Sequence, residues 1–266
     1  MRIFDFLNIL ALVTVFCGIV ALVDWLLQRR KDIPKQERKY SIFVEYARSF
    51  FPVLLIVLIL RAFLFQPYRV PTGSLEPTVI PGDLIFVTQY NYGVKIPIWD
   101  KTIIKVGEPK RGQIALFRWP VNPKLTFVKR VIGLPGDHIS YVNKVFTING
   151  KTATQTAAGD FDEIVDGGST RPTKLFLEDL EGTKHYIIVD PKIPAQNFKD
   201  LVVPKGMYFM VGDNRDDSDD SRSWGFVRAS TFIGQAVFVW FNIQFNPLHI
   251  RWNRIGTKLY GSVSTP

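Results

Sequence analysis

The chain contains few of the side chains that build metal, haem and redox sites. Its 266 residues include one cysteine and three histidines. A single cysteine excludes an intrachain disulfide, and Cys17 lies inside an apolar run where a small packing residue is expected. HExxH motifs, cysteine–histidine clusters and glycine-rich phosphate loops are absent from the sequence. These absences predict a protein that uses no metal and no cofactor.

One acidic stretch, GDNRDDSDDSRSWG at residues 212–225, has some features of a calcium-binding loop. The glycine and the terminal glutamate of that motif are missing at the required offsets, which disfavours calcium. Taken alone, the stretch is typical of a solvated turn.

Acidic residues are fewer than basic ones, and the formal net charge is +9. Much of this excess is local, because residues 28–48 hold seven basic side chains against three acidic ones. A basic segment between two apolar segments is a signal of membrane topology. No nucleic-acid partner is therefore predicted.

Two apolar segments flank this basic segment, at about residues 6–27 and 50–66, and each approaches the roughly 20 residues that cross a bilayer. A cleavable signal peptide is the rival interpretation of the first, but its apolar core is too long and no small-x-small site follows. The positive-inside rule places residues 28–48 in the cytoplasm. The N-terminus and everything after Phe65 then lie on the other side, which in a bacterium is the periplasm or the cell exterior.

From Pro67 onward, short apolar or alternating runs are separated by glycine, proline, asparagine and aspartate. We predict strands at residues 83–87, 113–118, 126–132, 145–148, 207–211 and 235–241. Residues 151–202 are more polar and show few strong periods. The prediction is a mainly β protein: a membrane anchor at 1–66, an all-β domain formed by 67–138 and 203–266, and a smaller inserted β region at 139–202.

Ser74 lies a few residues beyond the second apolar segment, between Gly73 and Pro77, where turn-forming residues expose its hydroxyl. A serine needs a base to act as a nucleophile. Strand alternation places Lys129 on one face with Phe127 and Val131, and burial there lowers a lysine pKa towards neutrality. A solvated strand lysine is nevertheless the commoner case, so spacing alone leaves the function open.

Four strings then occur in a fixed order: PTGSLEPT (71–78), GDLIFV (82–87), FVKRVIGLPGD (127–137) and GDNRDDSDDSRSWGF (212–226). In this order they resemble the motif boxes of bacterial type I signal peptidases. The two apolar segments with a basic segment between them resemble the Gram-negative, leader peptidase form of that family. The resemblance covers nearly the whole chain and is weakest over residues 139–202.

The resemblance implies a serine/lysine dyad protease of β fold, anchored in the bacterial inner membrane with its catalytic domain on the periplasmic side. It implies that the enzyme removes signal peptides from exported preproteins after small-x-small sites. Ser74 would be the nucleophile and Lys129 the general base. Thr72 would help the Ser74 backbone N–H to bind the oxyanion, and Ser218 would orient the lysine amine.

The resemblance also assigns supporting residues around this pair. Asp220 with Arg222, and Asp213 with Arg130, would form ion pairs that hold the 212–226 stretch, and Gly212 would keep it close to the catalytic residues. Leu75 stands where the family usually has methionine, and the cysteine pair of some Gram-negative relatives is absent. Neither departure touches Ser74 or Lys129.

The substrate residues before the cut are expected to lie as an extended strand against Val70, Pro71 and Val128, near a pocket shaped by Leu75. The expected partners are signal-peptide-bearing preproteins and membrane lipid, and the sequence does not indicate the oligomeric state. One alternative is a specialised peptidase for a conjugation or pilin-like substrate. Another is a non-catalytic, membrane-tethered β domain that binds exported chains, which the joint presence of Ser74 and Lys129 in matching strings disfavours.

Overall fold

The structure is a computed structural model that describes residues 3–30, 41–59, 65–95, 102–104, 106–165, 169–245 and 248–260. The chain forms two compact units. The first consists of Met1–Gln66 with Val94–Ile104, and the second of Pro67–Gly93 with Lys105–Pro266. This division does not test the domain limits predicted from the sequence (1–66, 67–138 with 203–266, and 139–202), which remain a prediction.

The first unit contains two long helices, α1 (Ile3–Arg30) and α2 (Ile42–Ile59). Both are long and apolar enough to cross a membrane, and most of their surface is exposed, unlike that of a buried core helix. They pack together where Gly18 faces Phe51, since a Cβ added to that glycine would lie 2.7 Å from the ring. Arg48 pairs with Asp24 across the same helix pair at 3.0 Å.

The helix limits differ from those predicted. The second helix begins at Ile42, eight residues before the predicted start. Apolar and aromatic residues continue back from residue 50 into the end of the basic segment at residues 28–48. The end of the predicted 50–66 span is not helical, since Phe65–Arg69 form a strand. Pro67 explains this, because the residue before a proline is pushed towards an extended conformation. Residues 31–40 and 60–64, which these predictions also covered, lie outside the described residues.

Eighteen strands are described in chain order. They are β1 (Phe65–Arg69), β2 (Asp83–Thr88), β3 (Val94–Lys95), β4 (Thr102–Ile104), β5 (Ile114–Arg118), β6 (Thr126–Gly133), β7 (His138–Val142), β8 (Val145–Ile148), β9 (Lys151–Thr152), β10 (Thr154–Ile164), β11 (Thr170–Leu180), β12 (Thr183–Val189), β13 (Phe198–Val202), β14 (Met207–Val211), β15 (Val227–Arg228), β16 (Phe232–Asn242), β17 (Gln244–Phe245) and β18 (Leu248–His249). A short helix, α3 (Ser221–Trp224), and two 3-10 turns, Ala229–Thr231 and Trp252–Arg254, complete the elements of the described residues. The predicted mainly β fold with two N-terminal apolar helices is confirmed.

The main sheet has seven strands in the order β1-β2-β16-β5-β6-β14-β15. Its central pairs are antiparallel, with Ala115 opposite Lys129 on β5 and β6, and Val211 opposite Arg130 on β14 and β6. Because antiparallel neighbours can be far apart in sequence, this order brings β2, β6 and β14 into one sheet. These strands carry three of the four motif strings or lead directly into them.

One hydrophobic cluster fixes the connection between β1 and β2. Leu75 and Val79 from this connection pack with Val87, Leu116 and Val239 from three strands. Burying a leucine of this kind contributes on the order of 1.5–3 kcal/mol. The chain around Ser74 is therefore anchored by its own apolar residues.

The inserted region forms two further sheets, with strand orders β13-β7-β8-β9 and β10-β11-β12. The sequence indicated few strong periods here, yet β10 and β11 are each 11 residues long. Most of β10 is exposed on both faces, so no apolar alternation marks it, and backbone pairing with β11 maintains the strand. Residues 166–168, between β10 and β11, lie outside the described residues.

Candidate active site

Ser74 lies on the serine loop, which we define as residues 71–82 between β1 and β2. The base of the loop is closed by two backbone hydrogen bonds, from Val70 N–H to the Asp83 carbonyl at 2.8 Å and from Gly82 N–H to the Val70 carbonyl at 3.0 Å. Gly82 has φ of +91°, a conformation that glycine adopts without strain. With Leu75 buried beneath it, Ser74 is half-buried at the surface of the sheet.

In the described part of the chain, the Ser74 backbone N–H makes no hydrogen bond, whereas the Ser74 carbonyl oxygen accepts one. Its carbonyl accepts a hydrogen bond from Asn214 N–H at 3.2 Å, and its Oγ lies 3.5 Å from the Thr72 hydroxyl. Among the described residues, no group accepts a hydrogen bond from the Ser74 N–H. A backbone N–H without a partner, close to the exposed Thr72 hydroxyl, is an arrangement that can bind a developing oxyanion.

The acidic loop, residues 212–220, continues from β14 and lies against the serine loop at Gly212. A Cβ added at this glycine would overlap both Ser218 Oγ and the Ser74 carbonyl oxygen. The absence of a side chain therefore allows both serines to pack against one backbone position. The pairing of β14 with β6 ends with Val211 opposite Arg130, so Gly212 directly follows the last paired residue of β14 and Lys129 directly precedes its partner on β6.

Lys129 is buried in β6, with 4% of its surface exposed. Burial lowers its pKa to about 8, while the charges of Asp220 and Asp219 act in the opposite direction. Its Nζ lies 5.9 Å from the centre of the Phe127 ring, as expected for two residues on one face of a strand. A substantial fraction of this amine is therefore neutral at a slightly alkaline pH.

The structure does not join Lys129 to either serine by a hydrogen bond. Lys129 Nζ donates none to any residue that the structure describes. Ser218 Oγ is buried and likewise has no hydrogen-bond partner there. Hydrogen bonds of catalytic groups are often long or incomplete in ligand-free enzymes and form when substrate binds.

Several buried ion pairs hold the acidic loop: Asp220 with Arg222, Asp213 with Arg130, Arg215 with Glu178, and Asp216 with Lys144. Asp220 pairs with Arg222 at 2.7 Å and accepts a hydrogen bond from Gly212 N–H at 3.0 Å. Asp220 also caps the N-terminus of α3 by accepting a hydrogen bond from Arg222 N–H. One carboxylate therefore fixes both ends of the acidic loop.

The second pair joins the acidic loop to β6. Arg130 Nη2 lies 2.6 Å from Asp213 Oδ2, and Arg130 Nε donates to Oδ1 at 2.7 Å, which makes the contact bidentate. Thr78 from the serine loop donates to the same carboxylate at 2.6 Å. Asp213 thus ties β6, the acidic loop and the serine loop together.

An unpaired stretch of strand edge lies beside Lys129. Residues 126–130 of β6 pair with β5 on one side, whereas pairing with β14 on the other side ends at Arg130. Val70, Leu75 and Val128 belong to one hydrophobic cluster, and Pro71 is exposed. In the described part of the chain, the edge at residues 127–129 thus remains free to accept another strand.

Sequence reasoning missed several residues that complete this arrangement. Thr78 and Glu76 lie in the same PTGSLEPT string as Ser74, and Asn214 lies in the acidic stretch, so membership of the motif strings was the available signal. Their hydrogen bonds depend on contacts between segments more than 50 residues apart, which no local pattern encodes. Among the described residues, no cluster of histidine, cysteine, aspartate or glutamate could hold a metal ion.

A β domain that carries this serine and this buried lysine, preceded by two apolar helices, is that of a membrane-anchored serine peptidase. The comparisons agree, because the family model for signal peptidases, peptidase S26, matches residues 43–241. The chain belongs to this family. Signal peptidase I of Pseudomonas fluorescens is 35% identical over 89% of this chain and 92% of its own length.

Two further similarities come from other organisms. Signal peptidase I of Pseudomonas aeruginosa is also 35% identical, over 89% of this chain and 92% of its own. A crystal structure of a signal peptidase I from Enterococcus faecalis is 28% identical and covers 48% of this chain and 96% of that one, with a TM-score of 0.33.

Proposed function

We propose that this chain removes N-terminal signal peptides from exported preproteins, cutting after small-x-small sites with Ser74 as nucleophile and Lys129 as general base. Family membership and the signal peptidase I relatives support the reaction. The observation that carries the site assignment is the packing of Ser74 and Ser218 against Gly212, next to the end of the β14–β6 pairing, together with a buried lysine on β6 whose pKa is lowered to about 8.

The substrate binds first as an added strand. Its residues before the cut pair with the free edge of β6 at 127–129, next to Val70 and Pro71 of the serine loop. Leu75 and Val128 border the pocket that admits only small side chains. Because the pairing uses backbone groups, it accepts many sequences, and the pocket provides the selectivity.

The chemistry then needs a neutral lysine. The Ser74 hydroxyl transfers its proton to the Lys129 amine as its oxygen attacks the scissile carbonyl. The Ser74 N–H and the Thr72 hydroxyl bind the oxyanion, and Lys129 returns the proton to the leaving amine. The resulting ester is hydrolysed by water, with Lys129 again as base. Ser218 orients the amine once the bound substrate has excluded solvent.

The finer location follows from topology. The helices α1 and α2 anchor the protein in the inner membrane, and the basic segment between them faces the cytoplasm. The β domain then lies on the periplasmic side, where a translocated preprotein emerges. Phe65 and Ser74 are nine positions apart in the sequence, which limits the distance between them to about 30 Å. Lipid and a membrane-inserted preprotein are the proposed partners.

The decisive experiment measures cleavage of a preprotein with an Ala-x-Ala site by the full-length protein in detergent. Ser74→Ala and Lys129→Ala are each expected to lower kcat at least about 10³-fold. The exposed neighbour Lys124→Ala serves as the matched control and should cleave at the wild-type rate. Wild-type cleavage by either site variant would refute the assignment.

A further inference from the structure

The inserted β region contacts the serine loop through Glu76, two residues after Ser74. The Glu76 side chain is 0% exposed, and its Oε2 accepts a hydrogen bond at 2.9 Å from the N–H of Ile164, the last residue of β10. A Cβ added at Gly73 would lie 2.8 Å from Glu76 Oε1 and 3.3 Å from the Ile164 carbonyl oxygen. The carboxyl group and the end of β10 therefore both pack against the residue that precedes Ser74.

Glu163, the neighbour of Ile164, forms a second connection between the inserted region and the residues around Ser74. Glu163 Oε1 accepts a hydrogen bond from Asn214 Nδ2 at 2.5 Å. The same Asn214 amide group lies 3.4 Å from the Gly73 carbonyl oxygen, and the Asn214 backbone N–H donates to the Ser74 carbonyl. The two ends of the β10–β11 hairpin are linked here as well, since Arg171 Nη2 lies 2.7 Å from Glu163 Oε2.

The two carboxyl groups differ in how they are satisfied. Glu163 is paired with Arg171 and Asn214, whereas Glu76 receives one hydrogen bond, and its buried Oε1 has no partner among the described residues. The pKa of Glu76 is raised to about 8, mainly by burial; the hydrogen bond from the Ile164 N–H lowers it and the charge of Glu163 raises it. At neutral pH the Glu76 side chain is therefore mainly an uncharged acid.

We propose that Glu76 is a positioning residue: in its neutral form it packs between the end of the inserted β10–β11 hairpin and Gly73, and so fixes Ser74 for attack. In this role the inserted region supports the position of the nucleophile, Ser74. This inference rests on the proposed function, because it requires Ser74 to be the attacking group.

Ionisation of Glu76 disturbs this packing. The charged groups that face it are Glu163 from β10, Asp217 from the acidic loop and Arg251 from the segment before the last 3-10 turn. Two of these three are negative, and Arg171 is already paired with Glu163. An anion at Glu76 is thus buried with one N–H donor and a repelling neighbour, which displaces Gly73 and Ser74. Because Glu76 has no place in strand pairing with substrate, kcat falls and KM changes little.

The test measures kcat and KM for preprotein cleavage from pH 6 to pH 10, with full-length protein in detergent. Glu76→Ala removes the acceptor of the Ile164 N–H and should lower kcat about 10-fold or more, with KM within about threefold. Glu76→Gln keeps an uncharged acceptor of the same shape. It should restore kcat near pH 7 and lack the alkaline fall in rate that the proposal predicts for the wild type above about pH 8. Asp160→Asn, an exposed acid on the same hairpin, is the matched control and should behave as wild type.

The outcomes separate the two levels of the proposal. If Ser74→Ala, measured in parallel, still cleaves, the proposed function fails and the positioning role fails with it. If Ser74→Ala is inactive while Glu76→Ala keeps the wild-type kcat, only the positioning role is refuted. Should Glu76→Ala fail to fold, Glu76→Gln decides alone, since an alkaline fall identical to that of the wild type overturns the proposal.

Discussion

The charge of Lys129 determines the pH range in which the proposed site works. Burial lowers its pKa to about 8, and a general base must be unprotonated. We predict that kcat/KM rises about tenfold per pH unit below pH 8, with an acidic limb centred near pH 8. Lys129→Arg should be inactive at every pH, because a guanidinium keeps its proton. A limb centred near pH 4 or 6 would instead indicate a carboxylate or histidine base.

The same buried amine should reduce stability. In the unfolded chain the pKa of Lys129 is 10.5, and in the folded chain it is about 8. Below pH 8 the lysine is protonated in both states, so the full penalty of about 3 kcal/mol applies. Above pH 10.5 it is neutral in both states and the penalty disappears. Lys129→Met should therefore raise the free energy of unfolding at pH 7.

Denaturant unfolding at pH 7 and at pH 10 checks this prediction. The stabilisation by Lys129→Met should shrink as pH rises, since the folded wild type no longer buries a charge. Lys124→Met, an exposed lysine in the turn before β6, should change the free energy of unfolding by less than about 0.5 kcal/mol. An equal effect of Lys129→Met at both pH values would show that packing, and not charge, is responsible.

Gly212 permits a second test at single-residue scale. An alanine there would overlap Ser218 Oγ and the Ser74 carbonyl, so both must move. We expect Gly212→Ala to lower kcat about 10²-fold, because a shift near 1 Å in reacting groups has effects of that size. Kinetics on protein whose thermal unfolding is checked beforehand separates this from misfolding. Wild-type kcat would show that the two serines do not depend on this close approach.

The sequence identified the main residues of the proposed site, but it did not indicate the hydrogen bonds and the burial around them. Ser74 and Lys129 were singled out by turn chemistry, strand alternation and the order of four motif strings. The hydrogen bond from Thr78 to Asp213 and that from Ile164 to Glu76 were not, because each joins segments brought together only by the sheet order. Burial of Glu76 also has no local signal, since a glutamate after Leu75 is ordinarily a surface residue.

Among the elements, the 3-10 turn Trp252–Arg254 forms an ion pair with the first residue of β2, directly after the serine loop. Arg254 Nη2 lies 2.6 Å from Asp83 Oδ2 and donates to the Thr78 carbonyl at 2.8 Å. Asp83 is fully buried, and Asn242 donates to its other oxygen at 2.8 Å. The end of the chain therefore closes the loop that holds Ser74.

We predict that Arg254→Ala destabilises the protein by about 3–5 kcal/mol, because it leaves a buried carboxylate without its cation. Thermal and denaturant unfolding provide the measurement, and Arg228→Ala, at an exposed arginine, is the control. The double variant Asp83→Asn with Arg254→Met should recover much of the loss, since neither partner then carries a charge. If the double variant is no more stable than Arg254→Ala, lost packing is the cause.

Strands with buried apolar residues were predictable from the sequence, and strands with mostly exposed residues were not. The segment 207–211 was predicted with the limits that β14 has, because Met207–Val211 is almost wholly apolar and buried. β10 was missed as a long strand, because its exposed faces carry no alternation and its length comes from pairing with β11. The second helix was predicted to start late for a related reason: its first turns hold charged residues among the apolar ones.

At the scale of the whole molecule, the unit formed by Pro67–Gly93 and Lys105–Pro266 contains every element of the proposed site. It also contains the three hydrophobic clusters of the β domain. A variant lacking residues 2–59 should therefore fold and cleave a soluble signal-peptide substrate with kcat/KM within about threefold of the full-length value. The role we propose for the helices is a different one, that of a tether that holds enzyme and inserted preprotein on one surface.

If the helices act as a tether, their removal should reduce only the cleavage of substrates that are inserted in a membrane. Holding two partners on one surface raises their effective concentration and changes apparent affinity by about 10²–10⁴-fold. Cleavage of a preprotein inserted in liposomes should therefore fall at least about 10²-fold for the variant lacking residues 2–59, at enzyme concentrations where the full-length protein is efficient. The same truncation carrying Ser74→Ala measures any uncatalysed background. An equal loss on soluble and inserted substrates would mean that the helices are needed to form the site itself, because a tether has no effect on a substrate that is free in solution.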